Sequence, residues 1–425
     1  MRAYLLRRLL LIFPTLLGVS IVLYGVVQFV PGGPVDQLRR AARTNESGRG
    51  TSSGSANSSL SEEQIDAYKE LFGFDKHPII GYLNWLGVLP RETNKKRVEF
   101  IGEVKELRTR LPKTRQPIRI VREGDRFSFA AIDGAPISGW EIDFERKQRK
   151  TKDAAGKEGT VDKIYAILYQ KKFNGVLQGS LGESIRYSEP VVSVIGSRVP
   201  ASAWFAFWSL VISYAISIPL GLLKALKHKS RFDTATSTGI FIGYAVPPYA
   251  LGALLMVYLS ARYGWFPLGG LTSIQFHEFT FWEKVQDLAM HSVLPLICYV
   301  IGDFAFLTMM MKNQLLETLA ADYVRTAVAK GVPFRKAVFG HAFRNAFVPI
   351  ATNLGQFLSL FIGGSFLLET IFDINGVALL GFQSLLDRDY PVVMGVTLIG
   401  ALLLILGNIL SDIFVALVDP RISYQ

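Results

Sequence analysis

Cysteine is almost missing: Cys298 is the single one in 425 residues. That excludes an internal disulfide and a cysteine-based metal cluster. The five histidines are scattered, without ligand spacing. Charge is scarce as well, at 19% of residues, where a soluble chain usually carries about a quarter. No G-x-x-x-x-G-K-[ST] occurs, and "AAGKEG" lacks both the first glycine and the hydroxyl, so no P-loop is expected. No Ser/His/Asp set or carboxylate pair points to catalysis. The chain reads as a non-enzyme with no metal or cofactor of its own.

Apolar residues are plentiful. Half the chain is hydrophobic, and six runs reach the roughly 20 residues that a bilayer crossing needs: about Leu9–Val30, Ala203–Leu223, Gly239–Ser260, Ser292–Met311, Phe347–Leu368 and Val393–Val418. Lipid offers the backbone no hydrogen-bond partners, so these runs are predicted to be helices. The fold class expected is an all-α polytopic membrane protein of six transmembrane helices. Arg2, Arg7 and Arg8 precede the first run, which is too long for a signal-peptide core and is followed by no A-x-A site. It reads as an uncleaved span. Gly32, Gly33 and Pro34 would turn the chain out of it, and Asp419-Pro420-Arg421 would end the last span.

The formal charge of +11 would suggest nucleic acid in a soluble protein. Here the basic residues sit in alternate loops, as topology and anionic lipid demand, and no nucleic-acid partner is expected. Lys224, Lys227, Lys229 and Arg231 follow the second span; Lys312, Arg325, Lys330, Arg335, Lys336 and Arg344 follow the fourth. The other short loops carry only Arg262, Lys284 and Arg388. The basic loops and both termini are therefore assigned to the cytoplasm, and residues 31–202 to the outside.

The outer segment divides further. Thr44–Leu60 is a Ser/Gly-rich linker. Ser61-Glu62-Glu63-Gln64 fits a capping box opening a helix to about Phe72. Val98, Ile101, Val104, Leu107 and Leu111 recur at helical spacing. "PIRIVREGDRFSFAAIDGAPISGWEIDFERK" alternates like short strands. Lys150–Glu158 reads as a charged loop, and Val161–Tyr169 as a strand or a helix. A small α+β domain over about 89–173 is expected, with residues 1–30 and 203–425 forming the membrane part. It could carry a task or be a solvated insertion.

Between the fourth and fifth spans lies "ADYVRTAVAKGVPFRKAVFGHAFRNAFVPI". Asp322 can cap a helix starting at Tyr323, Gly331 can end it, and Pro333 can start the next. Tyr323, Ala327 and Lys330, with Val324 and Val328, leave one face small and apolar. Such a helix can dock on another protein or lie in lipid headgroups. Asp303 falls inside the fourth span; an intramembrane carboxylate marks a translocation path or a paired, wet wall. Asp412 and Asn408 read as packing glue between helices. Trp204, Phe205, Phe207, Trp208 and Trp265 read as interfacial anchors.

Residues 321–346 match the spacing of the EAA loop of ABC-importer permeases. "DYVRTAVAKG" with "HAFRNA" is similar to the dipeptide/oligopeptide, binding-protein-dependent branch, with Arg325 where the general motif has glutamate. "VPGGPVD", "GSLGESIRYSEPVVSVIGSRVPAS", "GYAVPPY", "FPLGG" and "DPRI" agree along the chain; "SRFD", "DRDYPVVMG" and "NILSDI" look most like the Yej-type permeases. The resemblance covers the chain outside about Leu89–Phe173.

The resemblance implies six helices of the type I importer permease kind. It implies a second homologous permease around one path, two ATP-binding subunits that hold ATP and Mg, and a periplasmic peptide-binding protein. It places the complex in the bacterial inner membrane. It makes the EAA loop the coupling helix, with Tyr323, Arg325, Thr326, Ala327, Ala329, Lys330 and Gly331 toward the ATPase. Asp303 matches no family position, so its role is not carried over. The competing reading is a secondary transporter or channel needing no ATPase; only Asp303 leans that way.

Overall fold

A computed structural model describes residues 2–29, 77–100, 104–112, 114–124, 126–133, 137–152, 158–356 and 364–418. The linker, the capping box, the Gly32–Pro34 turn and the Asp419–Arg421 terminus lie outside the described residues. The chain divides into two compact units, one of Met1–Gly33 with Leu181–Gln425 and one of Pro34–Ser180.

The first unit is helical. Four helices are long and apolar enough to cross a membrane: α1 (Arg2–Phe29), α3 (Val191–Leu226), α6 (Phe281–Ala320) and α12 (Tyr390–Val418). α4 (Arg231–Ala245) and α5 (Pro248–Leu255, continued by π-helical turns over Met256–Arg262) pass the same test together but are bent by 87°. The bend has a local cause. Val246 precedes proline and is extended at φ −86, ψ 120, because Cδ of the following ring disfavours the helical region. Pro247 is likewise extended, and Pro248 restarts the helix at its first position.

The expected fifth span is only partly described. α9 (Phe343–Asn353) passes into a 3-10 turn at Leu354–Gln356, and α10 (Phe366–Ile371) follows residues outside the described set. Among the described residues, four helices and one bent pair are thus long and apolar enough to cross a membrane, and the remaining expected crossing falls partly outside those residues.

α3 and α6 pack closely. Ser209, Ser213, Ser217 and Gly221 recur every fourth residue along α3 and are buried. A Cβ on Gly221 would come within 2.6 Å of the Met311 Cβ, so this approach requires glycine; small side chains let membrane helices come together. Arg8 and Asp412 form an ion pair of 2.8 Å between α1 and α12. The pair sets the start of α1 beside the end of α12. Asp412 thus joins helices as expected, whereas Asn408 is exposed. Of the expected anchors, Phe205 is only 2% exposed and belongs to the core with Leu294, Cys298 and Leu368. Trp204 donates to Ser292 Oγ at 2.8 Å, while Phe207 and Trp265 are exposed.

The second unit corrects the helical reading of Val98 to Leu111. After α2 (Pro78–Leu86), the described residues of the insertion form strands: β1 (Arg91–Phe100), β2 (Glu106–Arg110), β3 (Pro117–Glu123), β4 (Arg126–Ala131), β5 (Glu141–Lys152) and β6 (Glu158–Lys172). They make two antiparallel sheets, ordered β1-β6-β5 and β2-β3-β4. Of the apolar residues read at helical spacing, Val98 lies on β1 and Leu107 on β2, Val104 and Leu111 flank β2, and Ile101 lies outside the described residues. Val98 and Phe100 are buried on β1, which pairs with β6. Leu107 and Leu111 turn inward along and just beyond β2. The partner of β1, β6, lies far along the chain, and β2 pairs with β3 just after it, so the helical spacing across the two strands is coincidental. Val161–Tyr169 is strand, and the expected charged loop begins as the end of β5. Ile118, Ile120, Ala166 and Leu168 are fully buried where the sheets share one core. Each isoleucine there contributes about 1.5–3 kcal/mol by burial.

Candidate functional site

α6 has 40 residues and so runs roughly 60 Å, about twice the bilayer core. It is therefore longer than a single crossing needs. Ala321 is extended at φ −68, ψ 145 and caps α7 (Asp322–Ala329). Asp322 is therefore the first helical residue, where its charge still opposes the helix dipole favourably, and makes no side-chain cap. Gly331 has φ +87. Its N–H donates to Val328 O at 2.9 Å, and Val332 N–H to Ala327 O at 3.1 Å. These two bonds make a Schellman closure, which needs a left-handed residue at this position and favours glycine. Pro333 then caps, rather than starts, α8 (Phe334–Ala337), which continues through π-helical Val338–Ala342 into α9.

The corner is fastened from beneath. Val324 is 2% exposed and packs with Leu307, Met311, Leu315, Ala337, Ala346 and Ile350. Asn345 Nδ2 donates to the Tyr323 hydroxyl at 2.8 Å, tying α7 to α9. Tyr323, Arg325, Thr326, Ala329, Lys330 and Gly331 are exposed, and Ala327 is half-buried. A Cβ at Gly331 would meet no atom within 4 Å among the described residues. The result is a helix fastened on its inner side with its outer face exposed.

Asp303 does not join this group. It sits 17 residues before the end of α6, about 26 Å along the helix. It is half-buried and, among the described residues, has no hydrogen bond or ion pair.

Sequence reasoning missed three polar clusters. The first lies at the base of α6. Lys224 is fully buried; its Nζ bonds Thr236 Oγ1 at 2.9 Å and Ser237 Oγ at 2.7 Å, and lies 3.2 Å from Asp233 Oδ1. Lys312 reaches the same carboxylate at 2.8 Å. Lys224 was counted as a loop charge; the signal was Asp233, a lone acid in an otherwise basic loop. The second is Glu369, 1% exposed, which accepts from Leu379 N–H at 2.6 Å and so caps α11 (Val377–Leu386). A Cβ on Gly376 would lie 2.3 Å from its Oε1, so a larger residue there would have to displace the carboxylate. The third joins Asp389 to the Ser184 hydroxyl and the N–H groups of Ile185 and Arg186, beside an Arg186–Asp387 ion pair. Two distant stretches, "GSLGESIRYSEPV" and "DRDYPVVMG", thus fold onto one another.

The family model described as the binding-protein-dependent transport system inner membrane component matches residues 217–424. The chain is 33% identical over 438 residues to the peptidoglycan transport system permease protein YejB of Agrobacterium fabrum, covering 100% of this chain and 99% of the relative. It is 33% identical over 428 residues to the inner membrane ABC transporter permease protein YejB of Escherichia coli, covering both fully at 100%. It is 36% identical over 300 residues to the oligopeptide transport system permease protein AppB of Bacillus subtilis, covering 70% of this chain and 93% of the relative.

Proposed function

This chain belongs to the family of binding-protein-dependent transport inner membrane components, and from that membership we propose how its parts divide the work of an ABC importer for peptides. It is the permease subunit and performs no catalysis itself. ATP and Mg2+ are held by partner ATPase subunits, and a second homologous permease completes the translocation path. The cargo is an oligopeptide or a peptide conjugate, the chemistry common to relatives named for oligopeptide and for peptidoglycan transport. A periplasmic binding protein delivers it. The residue 34–180 unit faces the periplasm and both termini the cytoplasm of a bacterial inner membrane.

α7 is the coupling helix. The observation that carries this reading is the combination of a buried Val324 with an exposed outer face closed by Gly331. Motion of a docked ATPase would pass through α7 into α6, because Val324 packs on Leu315 and Met311 of that helix. Tyr323, Arg325, Thr326, Ala329, Lys330 and Gly331 form the contact, with Ala327 at its margin. Asp303 lines the path, where an unpaired carboxylate can meet a cationic peptide group.

The test is reconstitution with the partner subunits and binding protein in proteoliposomes. Uptake of a labelled tripeptide should require ATP hydrolysis, and Lys330→Cys should crosslink to an ATPase subunit. Uptake driven by an ion gradient without ATP would instead establish a secondary transporter.

A further inference from the structure

The strand unit carries a surface that none of these roles uses. In the β2-β3-β4 sheet, alternate residues are committed inward: Leu107, Ile118, Ile120, Phe127 and Phe129 all pack into the core. The pleat fixes what the other face presents. Arg108 and Arg110 of β2, Arg119 of β3, and Ser128 and Ala130 of β4 are exposed there.

Register makes this face unusual. Arg108 stands directly opposite Arg119, and like charges so placed destabilise a sheet. Arg110 lies two residues along the same edge strand, about 7 Å away. Glu106 approaches Arg119 at 3.8 Å. Among the described residues, the guanidinium groups of Arg108 and Arg110 have no carboxylate partner. A folding requirement does not explain three clustered arginines; a carboxylate-bearing partner does. Arginine's planar fork suits discrete, bidentate carboxylates.

The pattern selects the class of partner. Glu106 and Glu123 interrupt the positive face, Glu123 directly opposite exposed Arg126, so the face alternates in sign rather than presenting the uniform positive charge that suits an anionic membrane. The face also lacks the exposed aromatic or leucine side chains with which surface-bound proteins enter lipid; its uncharged positions are Pro117, Ser128, Ala130 and half-buried Val121.

We propose that the Arg108–Arg110–Arg119 face is the docking surface for an acidic patch on the substrate-binding protein. This rests on the reading of the chain as a binding-protein-dependent importer with this unit outside. Encounter would then be steered by charge and weakened by salt, since exposed charges are screened beyond about 8 Å at physiological ionic strength.

The experiment uses the assembled transporter in nanodiscs of zwitterionic lipid and the binding protein that its uptake requires, loaded with tripeptide. Affinity is measured at low and moderate salt for the native chain, for Arg108→Glu with Arg119→Glu, for the milder Arg108→Ala with Arg119→Ala, and for Lys172→Glu on the other sheet. The reversal should weaken low-salt binding roughly tenfold and flatten its salt dependence. The alanine pair should fall between, and Lys172→Glu should leave binding unchanged. Equal affinity for all variants, or an equal loss with Lys172→Glu, would overturn the proposal. So would a reversal that abolishes binding to phosphatidylglycerol vesicles while sparing the binding protein. Labelling of Ser128→Cys by an impermeant reagent separates the two layers. If it labels only from the cytoplasm, the outer placement itself is wrong.

Discussion

Lys312 Nζ lies 2.8 Å from Asp233 Oδ1 and 2.9 Å from Oδ2, which fastens α6 to the first turn of α4. The same carboxylate faces Lys224 of α3, so one buried acid answers two buried ammonium groups. Ser230 caps α4 and accepts from Asp233 N–H, which holds the carboxylate at the helix start. Three membrane helices meet at this point, eight residues before α6 ends and α7 begins.

The charge count there makes an unequal prediction. Asp233→Asn leaves two ammonium groups facing no carboxylate and should cost about 3–5 kcal/mol, the usual penalty for an uncompensated buried charge. Lys312→Met leaves Lys224 and Asp233 as a balanced pair and should cost clearly less. Thermal unfolding of the purified complex in detergent reports both. A Lys312→Met variant as unstable as Asp233→Asn would show that the cluster is not held by charge balance.

Gly331 separates backbone strain from docking. Its φ of +87 penalises any L-residue, by roughly 1–2 kcal/mol. Its Cβ direction is open, so alanine and leucine should cost this chain alike in thermal stability. If α7 seats in an ATPase cleft, they should differ in function: Gly331→Ala should retain part of the uptake, and Gly331→Leu should lose it while still inserting in the membrane. Normal uptake by Gly331→Leu would remove the coupling assignment.

What was legible in the sequence was local. Long apolar runs marked four spans and Gly331 marked the turn, because each signal lies in the residues that adopt the conformation. Most of what failed depended on distant partners. Val98 to Leu111 looked helical because β6, which pairs with β1, lies far along the chain, while β2 is a short strand in a hairpin with nearby β3. Lys224 looked like a loop charge because Asp233 and Lys312, which allow its burial, come from other helices. Phe205 looked like an interfacial anchor because the α6 residues that cover it, such as Leu294, are remote. Asp389 and Ser184 gave no sign of pairing, being 205 residues apart.

The strand unit should depend on its own core. Ile120 is fully buried between the sheets, so Ile120→Ala should cost about 2–5 kcal/mol through lost transfer energy and the cavity left behind. Hydrogen exchange should show the loss in β1 to β6 with the α3–α6 pair still protected. A uniform loss of protection across both units would mean that the insertion does not hold itself together.

Orientation is the last expectation, and the structure supplies better probes than the loops alone. His228 lies in the basic turn between α3 and α4, and Ile274 lies between α5 and α6 with 95% of its surface exposed. The intervening bent pair separates these two positions if it crosses the bilayer. The native Cys298 is buried, so it should add little background. In spheroplasts, an impermeant maleimide should label Ile274→Cys, and should label His228→Cys only after lysis. The Arg8–Asp412 pair adds a constraint: with α1 starting where α12 ends, a tag placed before α1 and one placed after α12 should share one side, that of His228. Labelling of His228→Cys in intact spheroplasts would invert the topology and move α7 away from any cytoplasmic ATPase. Labelling of both positions from the same side would show that the bent pair turns back without crossing.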